Sequence, residues 1–250
     1  MSARQETEDH DFMSALLLSG KYSDFKLRCQ GVEFRLHKSV VCMQSPMFAA
    51  ALDGNFTEAA SSTIVAELFD LDTIRRLIQF FYIGDYNAES PSDTKKLIIK
   101  LESPFEEDLT PAGTEILSAM SVADQLRAHI DLNIAADYYQ VPDLLKMTRD
   151  EVEKLLQHHW NASAFPELFD RVSSVVADTK LQSIVTDAAA RHLEELLQLK
   201  EFRELDCISD MTIKLLSSVL EANKSTRSPK LKSPKKRKST FSRCFWSVAM

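Results

Sequence analysis

Two short stretches near the amino terminus alternate between apolar and polar residues. In residues 25–29 and 32–36 every second side chain is apolar, and Gly31 lies between the stretches. This pattern is typical of a β-hairpin with one buried face. Residues 10–19 before it predict a short helix that ends at Gly20. The predicted inward positions of the hairpin are Phe25, Leu27, Cys29, Val32, Phe34 and Leu36.

The residues after the hairpin predict two short helices, a strand and a longer helix. Residues 40–42 and 46–52 are the short helices, and residues 64–68 form the strand. In the longer helix apolar residues recur at i, i+3, i+4, i+7 and i+8, Asp72 is the expected N-terminal cap, and Gly84 ends it. Its apolar residues are Ile74, Leu77, Ile78, Phe81 and Tyr82.

The second half of the chain is predicted to be helical after a long polar interruption. Residues 85–113 are polar and acidic and contain three prolines, which predicts an exposed loop, with one short strand at 97–101 inside it. One helix is expected over 114–139, another over 143–159, and two or three more after Phe165. Two later apolar stripes are Leu181, Ile184, Val185 and Ala188, and Ile208, Thr212, Leu215, Leu216 and Val219.

The composition excludes several kinds of site. No two of the five glycines lie within ten residues of each other, so no glycine-rich phosphate loop is present. The four cysteines are far apart and form no C-x-x-C pair, which excludes a zinc finger and does not resemble a secreted disulfide framework. No leader sequence and no apolar run of membrane-spanning length is found, so a cytosolic or nuclear protein is expected.

The charge is distributed unevenly along the chain. Residues 1–221 carry 21 Lys and Arg against all 37 Asp and Glu, a net charge of −16, whereas residues 222–250 carry nine basic residues and no acidic one. An acidic body repels phosphate, so direct sequence-specific binding of nucleic acid by the body is not expected. The Lys-, Ser- and Pro-rich tail has no apolar face to bury and is predicted to be disordered.

Six short motifs resemble those of the BTB/POZ domain, and they occur in the same order and at similar spacing. Residues 34–41 resemble its F-x-x-H-K-x-V-L strand-to-helix corner, and residues 56–58 resemble its F-x-E motif before the third strand. The resemblance covers about residues 10–157, and the polar insertion and helical extension are similar to fungal single-BTB proteins. The other four motifs are residues 22–25, 44–48, 80–86 and 135–144.

The resemblance implies an α+β fold in which a small sheet is flanked by helices. The expected order is a disordered amino terminus at 1–9, a BTB/POZ domain at 10–157 with a variable polar insertion at 85–113, an all-helical extension at 158–221 and a disordered basic tail at 222–250. Little chain precedes residue 10, so the strand that zinc-finger BTB proteins exchange between partners is expected to be absent. A dimer would then rest on helix packing.

By resemblance, two pairs of residues are candidate interaction sites. Asp24 and Lys38 would form a charged pair at the dimer groove, or a purely structural ion pair. Phe56 and Glu58 match the hydrophobic-x-Glu feature by which some BTB adaptors dock a cullin-type ubiquitin ligase scaffold. The alternative for Phe56 is that its ring covers the core.

The first two helices offer a candidate self-association face. A short terminal helix cannot be stable alone in water, so its apolar stripe must pack on something. In this family the partner is often a second protomer, and packing within one chain is the alternative. The candidate residues are Met13, Leu16, Leu17, Val41 and Met43.

The tail contains a candidate nuclear import signal, and Ser228 and Ser233 precede prolines as candidate phosphorylation sites. A phosphate at Ser233 would place negative charge beside the basic run and weaken binding to an import receptor. The alternative is that the basic run is only a solvated charged segment that no receptor binds. A further hypothesis, acylation of Cys244 for membrane anchoring, is less favoured than nuclear import. The basic run consists of Lys235, Lys236, Arg237 and Lys238.

No pattern in the sequence indicates an enzyme, a cofactor site or a metal site. His158 and His159 are adjacent, so they cannot share a metal as in H-E-x-x-H, and no Gly-x-Ser-x-Gly elbow occurs. The predicted function is protein–protein interaction: self-association and recruitment of partners as a nuclear scaffold or regulator. The alternatives are a substrate adaptor of a cullin-type ligase, and a cytoplasmic location.

Overall fold

The computed structural model describes residues 12–88 and 120–205, together with Val219. Within these ranges a three-stranded sheet flanked by helices is followed by an all-helical region, which confirms the predicted α+β fold class. In chain order the elements are α1 (12–19), β1 (Phe25–Cys29), β2 (Val32–Leu36), α2 (Lys38–Val41), α3 (Pro46–Asp53), α4 (Thr57–Ser61), β3 (Thr63–Val65), α5 (Leu71–Ile83), α6 (Val122–Tyr138), α7 (Pro142–His158), α8 (Phe165–Val175), α9 (Thr179–Arg191), α10 (Leu193–Leu196) and α11 (Lys200–Arg203).

The predicted hairpin is present at the centre of the sheet. β1 pairs antiparallel with β2, with Leu27 opposite Phe34, and β3 lies on the other side of β1 and runs parallel to it. The turn residues Gln30 and Gly31 have φ values of 48° and 84°. A two-residue hairpin turn of type I′ has positive φ at both positions, and glycine adopts this conformation without steric penalty.

The third strand is shorter than predicted, and the cap of the next helix lies two residues earlier. The Ala66 amide donates to the Arg28 carbonyl at 2.8 Å, and β3 ends just before it, at Val65 rather than at residue 68. Asp70, not Asp72, caps α5, because Asp70 has extended backbone angles and its side chain accepts a hydrogen bond from the Thr73 amide at 2.8 Å. Asp72 is already helical and pairs with Arg75.

The first hydrophobic core lies between the sheet and helices α1 to α3, α5 and α6. Ser45 anchors α3 within it: the Ser45 hydroxyl accepts from the Phe48 amide and donates to the Tyr139 carbonyl at 2.5 Å. The ring of Phe48 stacks on the ring of Tyr139, with centroids 4.8 Å apart. These contacts connect the turn after α6 to the start of α3. The aliphatic and aromatic centre of this core includes Leu27, Phe34, Leu36, Ile74, Leu77 and Leu132.

Helix α6 begins later than predicted. Met120 and Ser121 are not helical, so a continuous helix over 114–139 is wrong. The Ser121 hydroxyl accepts from the Asp124 amide at 3.1 Å and so caps α6 at its first turn. Pro142 then begins α7, within one residue of the prediction.

A second hydrophobic core joins α6 and α7 to the extension. The predicted stripe on α9 is confirmed, since its residues 181, 185 and 188 are fully buried there and Ile184 packs beside them. Because α6 and α7 contribute to both cores, no break in packing separates the two regions at these helices. The predicted domain boundary at 157 stays a prediction. The second core includes Leu126, Ile130, Val152, Leu156, Phe169 and Val172.

A buried polar network also links α6 and α7 to the connection before α9. Asn133 Nδ2 donates to Thr148 Oγ1 at 3.0 Å and to Asp178 Oδ2 at 3.2 Å, and Arg149 Nε donates to the same carboxylate oxygen. Burial tends to raise the pKa of Asp178, but these hydrogen bonds and one from the Lys180 amide outweigh it, so the pKa of the carboxyl is lowered. Asp178 therefore carries a negative charge that its neighbours stabilise.

The beginning of the predicted exposed loop is buried. Tyr86 and Ala88 both lie against the first core, so the expectation of exposure is wrong for these two residues, whereas Asp85 is exposed as predicted. The predicted strand at 97–101 lies outside the described residues, and so do positions 208, 212, 215 and 216 of the last predicted apolar stripe, whereas its Val219 is helical. The terminal segments 1–9 and 222–250 also lie outside the described residues.

Candidate interaction surface

A groove of about 460 Å³ runs between α3, α4, β3 and the end of α6. Met47, Ala51 and Ile64 give it an apolar lining, whereas Thr57, Glu58 and Ser61 line it from the short helix α4. The fold creates this groove because β3 is an edge strand and α4 is too short to cover the edge. The remaining lining residues are Arg28, Thr63, Val65 and Tyr138.

Phe56 lies next to the groove and points its ring largely to solvent. It immediately precedes Thr57, and 62% of its surface is exposed. Its ring rests on Gly54: a Cβ atom at Gly54 would lie 3.0 Å from Phe56 Cδ2 and 2.5 Å from the Ala50 carbonyl oxygen. The interpretation in which Phe56 covers the core is therefore wrong, and the aromatic ring is free for a partner.

Glu58 supplies a carboxylate to the groove without a cation to balance it. Its Oε2 accepts from the Thr57 hydroxyl at 3.0 Å, and no Lys or Arg in the described part of the chain pairs with it. Arg28 lines the same groove, but its guanidinium pairs with Glu33 at 2.9 Å. A partner's basic group would thus meet an unpaired carboxylate beside an exposed aromatic ring.

Tyr138 and Val65 are surface residues that the sequence did not single out. Tyr138 ends α6, and its ring packs edge-on against Phe69 and Tyr139 while 46% of its surface stays exposed. Tyr138 lines the groove together with Val65. Only contacts between elements far apart in the chain bring the two residues together.

Asp24 and Lys38 are in contact, but not as the predicted ion pair. Asp24 Oδ1 accepts from the backbone amide of Lys38 at 2.8 Å, at the first residue of α2. The Lys38 ammonium instead donates to the Leu52 carbonyl at 3.0 Å and lies 3.6 Å from Asp53 Oδ1. The prediction of a Coulombic pair is wrong because the lysine side chain is directed to the end of α3.

Two of the five candidate self-association residues are not on the surface. Leu17 and Val41 are fully buried in the core of the same chain, because the stripe of α1 packs on its own sheet and helices. Met13 and Leu16 are half-buried against that core, whereas Met43 is 84% exposed. The candidate face is therefore reduced to Met13, Leu16 and Met43, and self-association through it stays a prediction.

The remaining predicted sites lie outside the described residues. These are the basic run at 235–238, the two candidate phosphorylation serines Ser228 and Ser233, and Cys244. Among the residues that the structure does describe, no three His, Cys, Asp or Glu side chains are arranged to hold a metal ion. None of the helices in those same ranges has the length and apolar character needed to cross a membrane.

The sheet, the short helices around it and the exposed groove define a docking domain. Residues 13–108 match the family model of the BTB/POZ domain. The chain therefore contains a BTB/POZ domain, as the motifs predicted. This domain is a protein–protein interaction module that often self-associates, and it is known for binding rather than catalysis.

Proposed function

We propose that the protein is a non-enzymatic nuclear scaffold or regulator that self-associates and recruits a protein partner through the groove beside Phe56. The observation that carries this proposal is the exposure of Phe56 next to an unpaired carboxylate in a groove of mixed apolar and polar lining. Interfaces derive most of their affinity from a few anchors, and aromatic side chains near a pocket are common anchors. Burying a phenylalanine side chain contributes about 1.5–3 kcal/mol.

Replacing Phe56 with alanine should weaken partner binding by roughly 30-fold, which corresponds to about 2 kcal/mol. The melting temperature should change little, because most of the ring is already in water. Binding is measured by titrating a partner captured by the full chain against the unmodified protein and the variant. The matched control is Val175→Ala on α8, since Val175 is 56% exposed and does not line the groove. Equal losses in both variants would contradict a role for this groove.

A second candidate function is that of a substrate adaptor for a cullin-type ubiquitin ligase. The exposed Phe56 and unpaired Glu58 favour it, since the hydrophobic-x-Glu feature needs the hydrophobe to be accessible. By resemblance, the helices after residue 143 correspond to the helical extension that such adaptors use to enlarge the contact with the scaffold. Titration of a cullin amino-terminal domain discriminates the two functions: absence of binding to the unmodified chain removes the adaptor and leaves the scaffold.

The nuclear location rests on the tail. Lys235, Lys236, Arg237 and Lys238 are four consecutive basic residues in a segment without acidic residues, which suits the acidic pockets of an import receptor. Changing all four to alanine in a fluorescent fusion of the full chain should shift the signal from nucleus to cytoplasm. The control replaces Lys224, Arg227, Lys230 and Lys232, which are basic residues of the same tail outside the run. A nuclear signal that persists after loss of the run would point to another route of entry.

A further inference from the structure

Strand β3 has one open edge in the described part of the chain. The strand order of the sheet is β2, β1, β3, so β3 pairs only with β1. Across this pairing the Ala66 amide donates to the Arg28 carbonyl at 2.8 Å. Alternate residues of a strand direct their backbone groups to the same side, so the amide and carbonyl of Val65 point away from β1. An edge of this kind can pair with a further extended segment.

The groove of about 460 Å³ lies along this open edge, and its charges are nearly balanced. Among the described residues that line it, only Glu58 and Arg28 are charged. Arg28 pairs with Glu33 at 2.9 Å, and Glu33 also pairs with Lys26 at 2.7 Å. Apolar contact and backbone pairing would therefore hold a ligand here, rather than charge. The apolar lining residues are Met47, Ala51 and Ile64.

Residues 241–250 differ in composition from the rest of the tail. They contain no acidic residue, no proline and no glycine, whereas Ala222 and Leu231 are the only apolar residues of 222–240. Phenylalanine, tryptophan and valine favour extended backbone, and proline, which would interrupt a strand, is absent. From position 244 every second residue is apolar, which is the period of a strand. These residues are Cys244, Trp246, Val248 and Met250.

Aromatic side chains of the body lie where this segment would bind. Phe56 is largely exposed beside the groove, and Tyr138 is partly exposed in its lining. Aromatic rings that pack offset or edge-on are stabilised beyond the effect of the area that they bury. Phe245 and Trp246 can supply such partners, and both lose contact with water when they bind.

We propose that residues 241–250 of the same chain add to the open edge of β3 as an extended strand and place apolar side chains in the groove. The 39 residues from Leu205 to Cys244 can span up to about 130 Å. A domain of some 200 residues is only about 40 Å across, so the reach is sufficient. The inference rests on the proposed function of the groove, because the segment occupies the surface that a partner uses. A partner must therefore displace it.

The fluorescence of Trp246 tests whether the segment is bound. Trp160 and Trp246 are the two tryptophans of the chain, so Trp160→Phe leaves Trp246 as the only tryptophan. Its emission in the full chain should lie at shorter wavelength than in a free peptide of residues 240–250, because the indole leaves water. Identical emission in the chain and in the peptide would overturn the proposal.

Competition with an added peptide measures the same occupancy without changing Trp160. A fluorescein-labelled peptide of residues 240–250 with Cys244→Ser is titrated against the full chain and followed by fluorescence anisotropy. It should bind about tenfold more tightly to a chain with Phe245, Trp246 and Val248 changed to serine, called the serine chain, than to the unmodified chain. In the unmodified chain the tethered segment competes at a millimolar effective concentration. Equal affinity for the two chains would overturn the proposal.

Backbone methylation tests whether the segment binds as a strand. One peptide carries N-methyl groups at positions 244, 246 and 248, and a second carries them at 245, 247 and 249. Only one of these two sets faces β3 in a strand, so one peptide should lose about tenfold in affinity for the serine chain while the other changes less than about twofold. Equal affinities of the two peptides would exclude strand pairing.

Two neighbouring alanines of α3 provide matched variants for the location of the site. Ala51 lines the groove, whereas Ala50 is exposed and does not line it. In the serine chain, Ala51→Gln fills the groove and should weaken peptide binding about tenfold, whereas Ala50→Gln should change it less than about twofold. Equal effects of the two substitutions would place the peptide elsewhere and overturn the site.

Dilution separates binding within one chain from exchange between two copies. The emission of Trp246 in the Trp160→Phe chain should not depend on protein concentration. A shift to longer wavelength on dilution would place the segment on a second copy and overturn pairing within the chain. None of these measurements uses a partner or a change at Phe56, so failure of the proposed function and failure of this inference are distinguishable.

Discussion

Replacing Asp178 with alanine should lower the free energy of unfolding by about 3 kcal/mol, the lower end of the range for breaking a buried ion pair. Asp178 is 7% exposed and receives hydrogen bonds from Arg149, Asn133 and the Lys180 amide. Its loss leaves the Arg149 cation and the Asn133 amide without their acceptor and removes the N-terminal cap of α9. Denaturant unfolding of the full chain measures the change.

Two variants show whether the buried network causes this loss. Asp178→Asn keeps an oxygen acceptor for the cap but removes the charge, so its destabilisation should lie between those of the unmodified chain and of Asp178→Ala. Asp170→Ala on α8 removes an exposed carboxylate and should change stability by less than about 0.5 kcal/mol. A loss below 1 kcal/mol for Asp178→Ala would mean that water replaces the carboxylate, and the network would not be a structural link between α6, α7 and α9.

Acidification from pH 6.5 to pH 4 should destabilise the protein through His129. Burial lowers the pKa of His129 from 6.5 to about 4, so the unfolded chain binds this proton at a higher pH than the folded chain does. The contribution of His129 to the free energy of unfolding is fully present above pH 6.5. It decreases as the unfolded state takes up the proton, and it stays constant below pH 4. A shift of this size corresponds to about 3 kcal/mol. Urea unfolding across this pH range measures it.

His129→Gln isolates the contribution of the imidazole. Glutamine can accept from Tyr86 through its amide oxygen but takes up no proton between pH 4 and 6.5. The difference in unfolding free energy between the two chains should therefore shrink steadily as the pH falls. If the two stability profiles run parallel, His129 is protonated equally in the folded and unfolded states, and the buried tyrosine–histidine pair is not a source of acid sensitivity.

Several elements of the fold could be predicted because their signals are local. The hairpin follows from alternation over ten residues, and α5 follows from its 3.6-residue apolar period. Their boundaries were less predictable. Asp70 and Asp72 are equally suitable caps by residue type, and only the structure distinguishes them, by the extended backbone of Asp70 and its hydrogen bond from the Thr73 amide.

The sequence of an apolar helix face did not show whether that face packs within its own chain or on a second protomer. Leu17 and Val41 have the pattern of a dimer face, yet both are covered by the core of their own chain. Phe56 shows the opposite case, since a phenylalanine at this position could have covered the core, whereas its ring is largely exposed. Whether a side chain is buried depends on which elements from distant parts of the chain pack against it. The residue type alone does not show this.

The sequence alone was sufficient for the hairpin, for helix α5, for the BTB/POZ domain and for the opposite charges of body and tail, because each depends on neighbouring residues or on simple counts. The groove that Glu58 and Tyr138 line, the Asp24 contact to a backbone amide and the hydrogen bond between Tyr86 and His129 arose only when the chain was folded. Each of these features combines residues that are far apart along the chain, and their distances depend on the packing of whole helices and strands.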